Sequence, residues 1–207
     1  MKIFRLVPLL ILLQVTFAMG NEQECTPASP STLEQVAGHI TPIKSFGEVV
    51  DGVYRGGHIG NKSNYRMLAH LGVETIINLE YDVSDDAESC RKYKIDCQKY
   101  GIVLMKTSDL IFFNYQRLQG AFKAVLQARS LGKKVYIHCK AGVDRTGALS
   151  SALMIRERAC GKNYNPEQLY TEIRDTLDHY GYHRNAFPFL YHKILSWTKK
   201  IPSWICA

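Results

Sequence analysis

Lys134 to Cys160 reads as a strand, a tight loop and a helix in direct succession, and this stretch restricts the fold more than any other. The apolar run Val135-Tyr136-Ile137 leads into His138-Cys139-Lys140-Ala141-Gly142-Val143-Asp144-Arg145-Thr146-Gly147, and a helical pattern runs from Thr146 to Cys160. In that geometry consecutive backbone N–H groups converge on one point and the helix dipole adds to them, which makes an anion site. The main chain of Lys140, Ala141, Gly142, Val143 and Asp144 forms the cradle. Arg145 closes it with two parallel, charge-assisted hydrogen bonds. Gly142 permits a close backbone approach. Cys139 stands at the mouth, where a positive field favours the thiolate over the thiol. Together these residues aim a nucleophile at a bound phosphate ester.

A cysteine and an arginine separated by five residues are weak evidence by themselves. Of the six cysteines, however, only Cys139 has an arginine at this offset. His-Cys-x-x-Gly-x-x-Arg-Thr-Gly resembles the signature loop of the cysteine-dependent tyrosine and dual-specificity phosphatases. The resemblance implies Cys139 as nucleophile, Arg145 as phosphate clamp, Thr146 assisting breakdown of a phosphocysteine, and His138 orienting the loop and tuning the thiolate. Such covalent catalysis divides one hard displacement into two easier ones.

The leaving group needs a proton, which this family takes from an aspartate on a separate loop. Asp109, in Met105-Lys106-Thr107-Ser108-Asp109-Leu110 directly after the apolar run 101–104, lies 30 residues before Cys139. A neighbouring phosphate dianion would raise its pKa toward working pH, as a general acid requires. The alternative role for Asp109 is to cap a turn. Asp82, Asp85 and Asp86 compete with it, although Asp85 and Asp86 read as first-turn helix residues. Asp144, within the loop, either positions water or faces solvent.

Around the loop, strand-like and helix-like segments alternate. Phe46–Val50 and Val53–Arg55 flank Asp51-Gly52 as a hairpin. A helix over 61–71 closes at Gly72, and 75–79 is a buried strand. Residues 84–100 read as a helix and 101–106 as the next strand. Helices follow over 115–129, from Asn165-Pro166 onward, and near 187–199. This is the pattern of an α/β fold, with a mostly parallel central sheet flanked by helices on both faces, as in tyrosine and dual-specificity phosphatases. Ligands in such sheets bind at the carboxyl ends of strands, where Cys139 and Asp109 both fall.

The first twenty residues stand apart. Lys2 and Arg5 precede an apolar run from Leu6 to Phe17, then Ala18-Met19-Gly20, which is a cleavable secretory signal. The run is too short, and is interrupted by Gln14, to span a bilayer. The expected mature chain is periplasmic or secreted, without a stable membrane anchor. It comprises a polar leader over 21–44 and a single catalytic domain over 45–207. Without Lys2 and Arg5 the chain holds 24 basic and 19 acidic residues, a formal +5. That modest excess, with no basic stripe, excludes a nucleic-acid binder and favours small acidic substrates.

All six cysteines fall beyond the signal, in a compartment where disulfides persist. Cys139 must stay reduced. A bridge between Cys25 and Cys206 would tie the termini. Cys90 and Cys97, read as sharing one helix, lie too far apart to pair.

Three cations bear on substrate: Lys140 inside the loop, Arg55 in Tyr54-Arg55-Gly56-Gly57-His58, and Lys106 beside Asp109. A rim carrying Arg55 and Lys106 suits several phosphates. The resemblance therefore points to the phytase-like branch and to inositol polyphosphates, with Asp144 limiting how anionic the substrate can be. The alternatives are a tyrosine or dual-specificity protein phosphatase, a phosphoinositide phosphatase, and a non-catalytic phosphate-binding module. No His/Cys/Asp cluster has metal-ligand spacing, so neither metal nor cofactor is expected.

Overall fold

Asp51 and Gly52 turn the chain between strands β1 (Gly47–Val50) and β2 (Val53–Gly56), with Gly52 at φ 72°. The computed structural model describes residues 42–106, 111–182 and 187–207. Helix α1 (Lys62–His70) follows, capped by the Asn61 side chain accepting from the Asn64 N–H at 3.0 Å. Then come strand β3 (Val73–Asn78), helix α2 (Ala87–Tyr93) and strand β4 (Asp96–Lys99). Strands β5 (Leu104–Lys106) and β6 (Ile111–Phe113) pair with each other, and helix α3 (Tyr115–Ser130) follows. Strand β7 (Lys134–His138) runs into helix α4 (Asp144–Ala159). Helices α5 (Pro166–His179), α6 (Pro188–Ser196) and α7 (Ser203–Cys206) complete the described chain.

The main sheet has the order β1-β2-β7-β3-β4. Only β1 runs antiparallel to its neighbour; β2, β7, β3 and β4 are mutually parallel. Strand β7 is central and buried on both faces, as an apolar run without alternation requires. Val135 and Ile137 join the larger core layer with Leu118 and Phe122 of α3, Leu149 and Leu153 of α4, and Ile173 of α5. Tyr136 points into the opposite layer, among Tyr65 and Leu68 of α1, Ile76 and Cys90. Helices thus cover both faces, as the alternating pattern predicts. Helix α4 is buried along most of its length, from Thr146 to Ile155, and is the central helix of the larger layer.

Residues 84–100 are not one helix. Asp86 caps α2 by accepting from the Ser89 N–H at 2.6 Å, and Lys94 ends it in the left-handed region at φ 56°. The chain then re-enters the sheet as β4. A lysine at this stop position carries no sequence signal, because glycine is the usual residue there. The strand read at 101–106 is also displaced: β5 lies outside the main sheet, paired antiparallel with β6.

Both cysteine expectations are corrected as a result. Once α2 ends at Tyr93, Cys90 and Cys97 face each other across the α2–β4 turn, and they form a disulfide with Cα atoms 6.1 Å apart. Cys206 pairs with Cys160 at the end of α4, not with Cys25, which lies outside the described residues. Cys139 is a free, buried thiol. Ile43 is buried, and the Lys44 carbonyl accepts from the Gly57 N–H at 2.8 Å.

Candidate active site

The Cys139 loop leaves the carboxyl end of the central strand, flanked by the corresponding ends of β2 and β3. His138 sits in register with Gly56 on one side and Asn78 on the other. The Leu79 N–H donates to the His138 carbonyl at 2.8 Å, and the His58 N–H donates to the Lys140 carbonyl at 3.2 Å. Gly142 has φ +73°, and a Cβ there would stand 2.6 Å from the Gly57 nitrogen and 2.7 Å from the Gly56 carbonyl oxygen. Only a glycine fits where two backbones approach this closely.

Helix α4 starts at Asp144 without a side-chain cap, so its first-turn N–H groups face the loop. Cys139 is buried beneath, 2 % exposed, whereas Lys140 and Ala141 are exposed above it. The half-buried Arg145 guanidinium donates through Nη1 to the Leu79 carbonyl at 3.4 Å and the Ile102 carbonyl at 3.3 Å. Those contacts hold it at the end of β3. Thr146 is fully buried, its hydroxyl donating to the Gly56 carbonyl at 3.5 Å. Val143 precedes the helix and is half-buried.

His138 has no solvent exposure and lies between two buried carboxylates. Its Nε2 meets Asp85 Oδ1 at 3.0 Å, and its Nδ1 is 3.6 Å from Glu80 Oε1. Burial alone pushes the imidazolium pKa down; the hydrogen bond to Asp85 and the field of both carboxylates win, and lift it to about 9. Glu80 shows the same balance in reverse. Burial raises it, but His138 and His58 hold it below the usual carboxylate value. The Tyr65 hydroxyl donates to Asp85 Oδ1 at 3.1 Å and accepts from the Asp86 N–H at 2.9 Å, which fixes Asp85 from α1. The His138 ring also stacks on Tyr136, with centroids 5.6 Å apart.

Arg55 is not on the rim. It is fully buried under the loop, its Nη2 donating to the Gly142 carbonyl and its guanidinium 4.1 Å from the centre of the Tyr180 ring. Desolvation lowers its pKa to about 10, against the opposing pull of Tyr180, the Cys139 sulfur and Tyr136. Position 55 is the third residue of a strand adjoining β7, so its side chain enters the interior. A charged residue in a four-residue strand gave no warning of this.

Asp109 lies outside the described residues, and Lys106 is the last residue of β5. Asp144 is half-buried rather than solvent-facing. Burial and then its charge push the Tyr182 phenol pKa upward. Asp85 and Asp86 separate in role, Asp86 capping α2 and Asp85 holding His138. Glu80 and Asp85 were not singled out for the loop from sequence. The usable signal for Glu80 was an acidic residue directly after the buried run 75–79, where a buried carboxylate needs a partner.

A thiol beneath an anion cradle, an arginine at its edge and a parallel sheet behind it define a cysteine-dependent phosphatase. The catalytic-domain model of the dual specificity phosphatases matches residues 57–179, and the chain belongs to that family. That match places the chain in the tyrosine and dual-specificity phosphatase superfamily. Among curated relatives, the inositol diphosphatase DSP2 of Oryza sativa subsp. japonica is 28% identical over 123 residues. The match covers 58% of this chain and 58% of that protein's length. Among solved structures, the core catalytic domain of the PP-IP phosphatase SIW14 from S. cerevisiae, in complex with citrate, superimposes with a TM-score of 0.55 at 19% identity. That match covers 79% of this chain and 89% of the other. PTPMT1 in complex with PI(5)P gives 0.55 at 18%, covering 76% and 97%. At these identities the structures speak for the fold.

Proposed function

We propose that this phosphatase is exported and hydrolyses inositol polyphosphates through a phosphocysteine on Cys139. Arg145 and the main chain of residues 140–144 hold the phosphate, and Asp109 protonates the leaving oxygen. Thr146 assists hydrolysis of the intermediate. The observation that carries the substrate class is Lys140, an exposed cation one residue beyond the nucleophile. It opens onto a cavity of about 420 Å³ that Lys44 also lines. Two cations beside the cradle favour a substrate with further phosphates. The inositol diphosphatase among its relatives supports the same class. Asp82 and Glu80 line that cavity too and temper its charge.

The test is kcat/KM for inositol hexakisphosphate, an inositol pyrophosphate, a phosphoinositide and a phosphotyrosine peptide. The inositol phosphates should lead, and a Lys140→Ala protein should lose that lead while keeping turnover of a nitrophenyl phosphate. Preference for the phosphopeptide would overturn the substrate class. Cys139→Ser should abolish turnover. Asp109→Asn should lower it by roughly 10²–10⁴ on an alkyl phosphate and less on a nitrophenyl ester. Export rests on the signal-like residues 2–20, and two disulfides accord with an oxidising compartment. N-terminal sequencing of the mature chain should begin near Asn21.

A further inference from the structure

We propose that His58, Glu80 and His138 form a zinc-binding site on the flank of the catalytic loop. The three residues come from separate segments, after β2, after β3 and at the end of β7. One ligand atom from each lies within 4.8 Å of the other two. Glu80 Oε1 is 2.7 Å from His58 Nδ1 and 3.6 Å from His138 Nδ1. These separations bracket the spacing of neighbouring ligands around a tetrahedral ion with bonds of about 2.0–2.2 Å.

Two independent features point to a ligand here. First, His138 Nδ1 is buried with no hydrogen-bond partner among the described residues, and faces Glu80 across the 3.6 Å gap. A buried ring nitrogen left unpartnered is costly unless something occupies the position. Second, the other ring nitrogen is already arranged as it is in metal-binding histidines. His138 Nε2 donates to Asp85 Oδ1, which Tyr65 holds in turn. A carboxylate on the far nitrogen fixes the ring and the tautomer and makes the near nitrogen the better donor. Glu80 is positioned as well, its own N–H donating to Asn78 Oδ1 at 2.7 Å.

Two imidazoles and one carboxylate make a set that suits zinc, with the fourth position left to water. Magnesium and calcium would want more oxygen ligands. Entry is from the His58 side, which is 37% exposed and lines the cavity next to Lys140. Zinc would replace the proton on His138 Nδ1, which passes to solvent, and the proton that His58 Nδ1 donates to Glu80, which moves to Nε2 in the other tautomer of His58. The loop flank then carries a divalent ion where it otherwise carries one proton.

The experiment is calorimetric titration of Zn²⁺ into the Cys139→Ser protein with both disulfides formed. That background removes the thiolate as a competing ligand and makes the result independent of which phosphate ester is turned over. One equivalent should bind saturably. His58→Ala and Glu80→Gln should each weaken binding at least about tenfold, and Asp85→Asn by about 10–100-fold through the lost orientation of His138. X-ray absorption should show a shell of nitrogen and oxygen with imidazole scattering and no sulfur. Absence of saturable binding overturns the proposal. So does binding that survives His58→Ala undiminished. Binding seen only when Cys139 is present places the metal on the nucleophile and overturns it equally.

Discussion

The two flanks of the catalytic loop each bury a cation and treat it oppositely. On the β3 flank, His138 meets two carboxylates, Asp85 and Glu80, so its charge is compensated within the protein. On the β2 flank, among the described residues, Arg55 meets the Gly142 carbonyl and the face of Tyr180, and its Nε and Nη1 have no hydrogen-bond partner there. A buried guanidinium without a counter-ion keeps a large field. The Cys139 sulfur lies within reach of that field, as do the Tyr180 and Tyr136 phenols. One flank therefore fixes the loop by a neutralised ion cluster, and the other by a backbone tether that leaves positive charge beside the Cys139 sulfur.

Four variants test that contrast, taken from the largest effect to the smallest. Gly142→Ala attacks the β2 flank at its closest approach, where the new Cβ meets the backbone of Gly56 and Gly57. Displacing the loop by about 1 Å should lower kcat/KM on a nitrophenyl phosphate by about 10². A wild-type value would show that the approach is dispensable.

Asp85→Asn acts on the β3 flank. It keeps an acceptor for His138 but removes half of the compensating charge, and should cost about 3 kcal/mol in urea unfolding at pH 7. Wild-type stability would mean that Glu80 alone neutralises the imidazolium.

The paired change Cys90→Ser/Cys97→Ser removes the short cross-link of the same flank. A seven-residue separation predicts a loss of about 2 kcal/mol, with kcat/KM unchanged. A matching fall in turnover would tie that cross-link to the site. Arg55→Met should separate the two flanks most clearly. Replacing an uncompensated buried charge by an apolar side chain should leave stability within about 0.5 kcal/mol, or raise it. Turnover should nonetheless fall about tenfold. Loss of stability with turnover intact would reverse the assignment.

The parts legible in the sequence were those encoded over short distances. Asp51-Gly52 turns the hairpin, Asn61 and Asn165 cap their helices, and residues 134–160 deliver strand, loop and helix as read. The misread stretch, 84–100, failed for an equally local reason: Lys94 adopts a conformation that its side chain does not advertise. That single stop turned an apparent helix into helix and strand, and it converted Cys90 and Cys97 from an impossible pair into a disulfide.

The sequence alone determined the loop on which the proposed chemistry rests. Cys139, Gly142, Arg145 and Thr146 are close because they are consecutive, and a strand followed by a helix leaves their loop little other shape. Only the tertiary structure decided what surrounds that loop. Asp85 reaches His138 from 53 residues away, and Arg55 reaches the Gly142 carbonyl from 87. Neither contact follows from periodicity or local propensity, because each depends on which strands become neighbours in the sheet. The order β2-β7-β3 puts Arg55 under one side of the loop and Glu80 and Asp85 against the other. Burial then makes those charges count, since in a low-dielectric interior each must find a partner or act on what lies beside it.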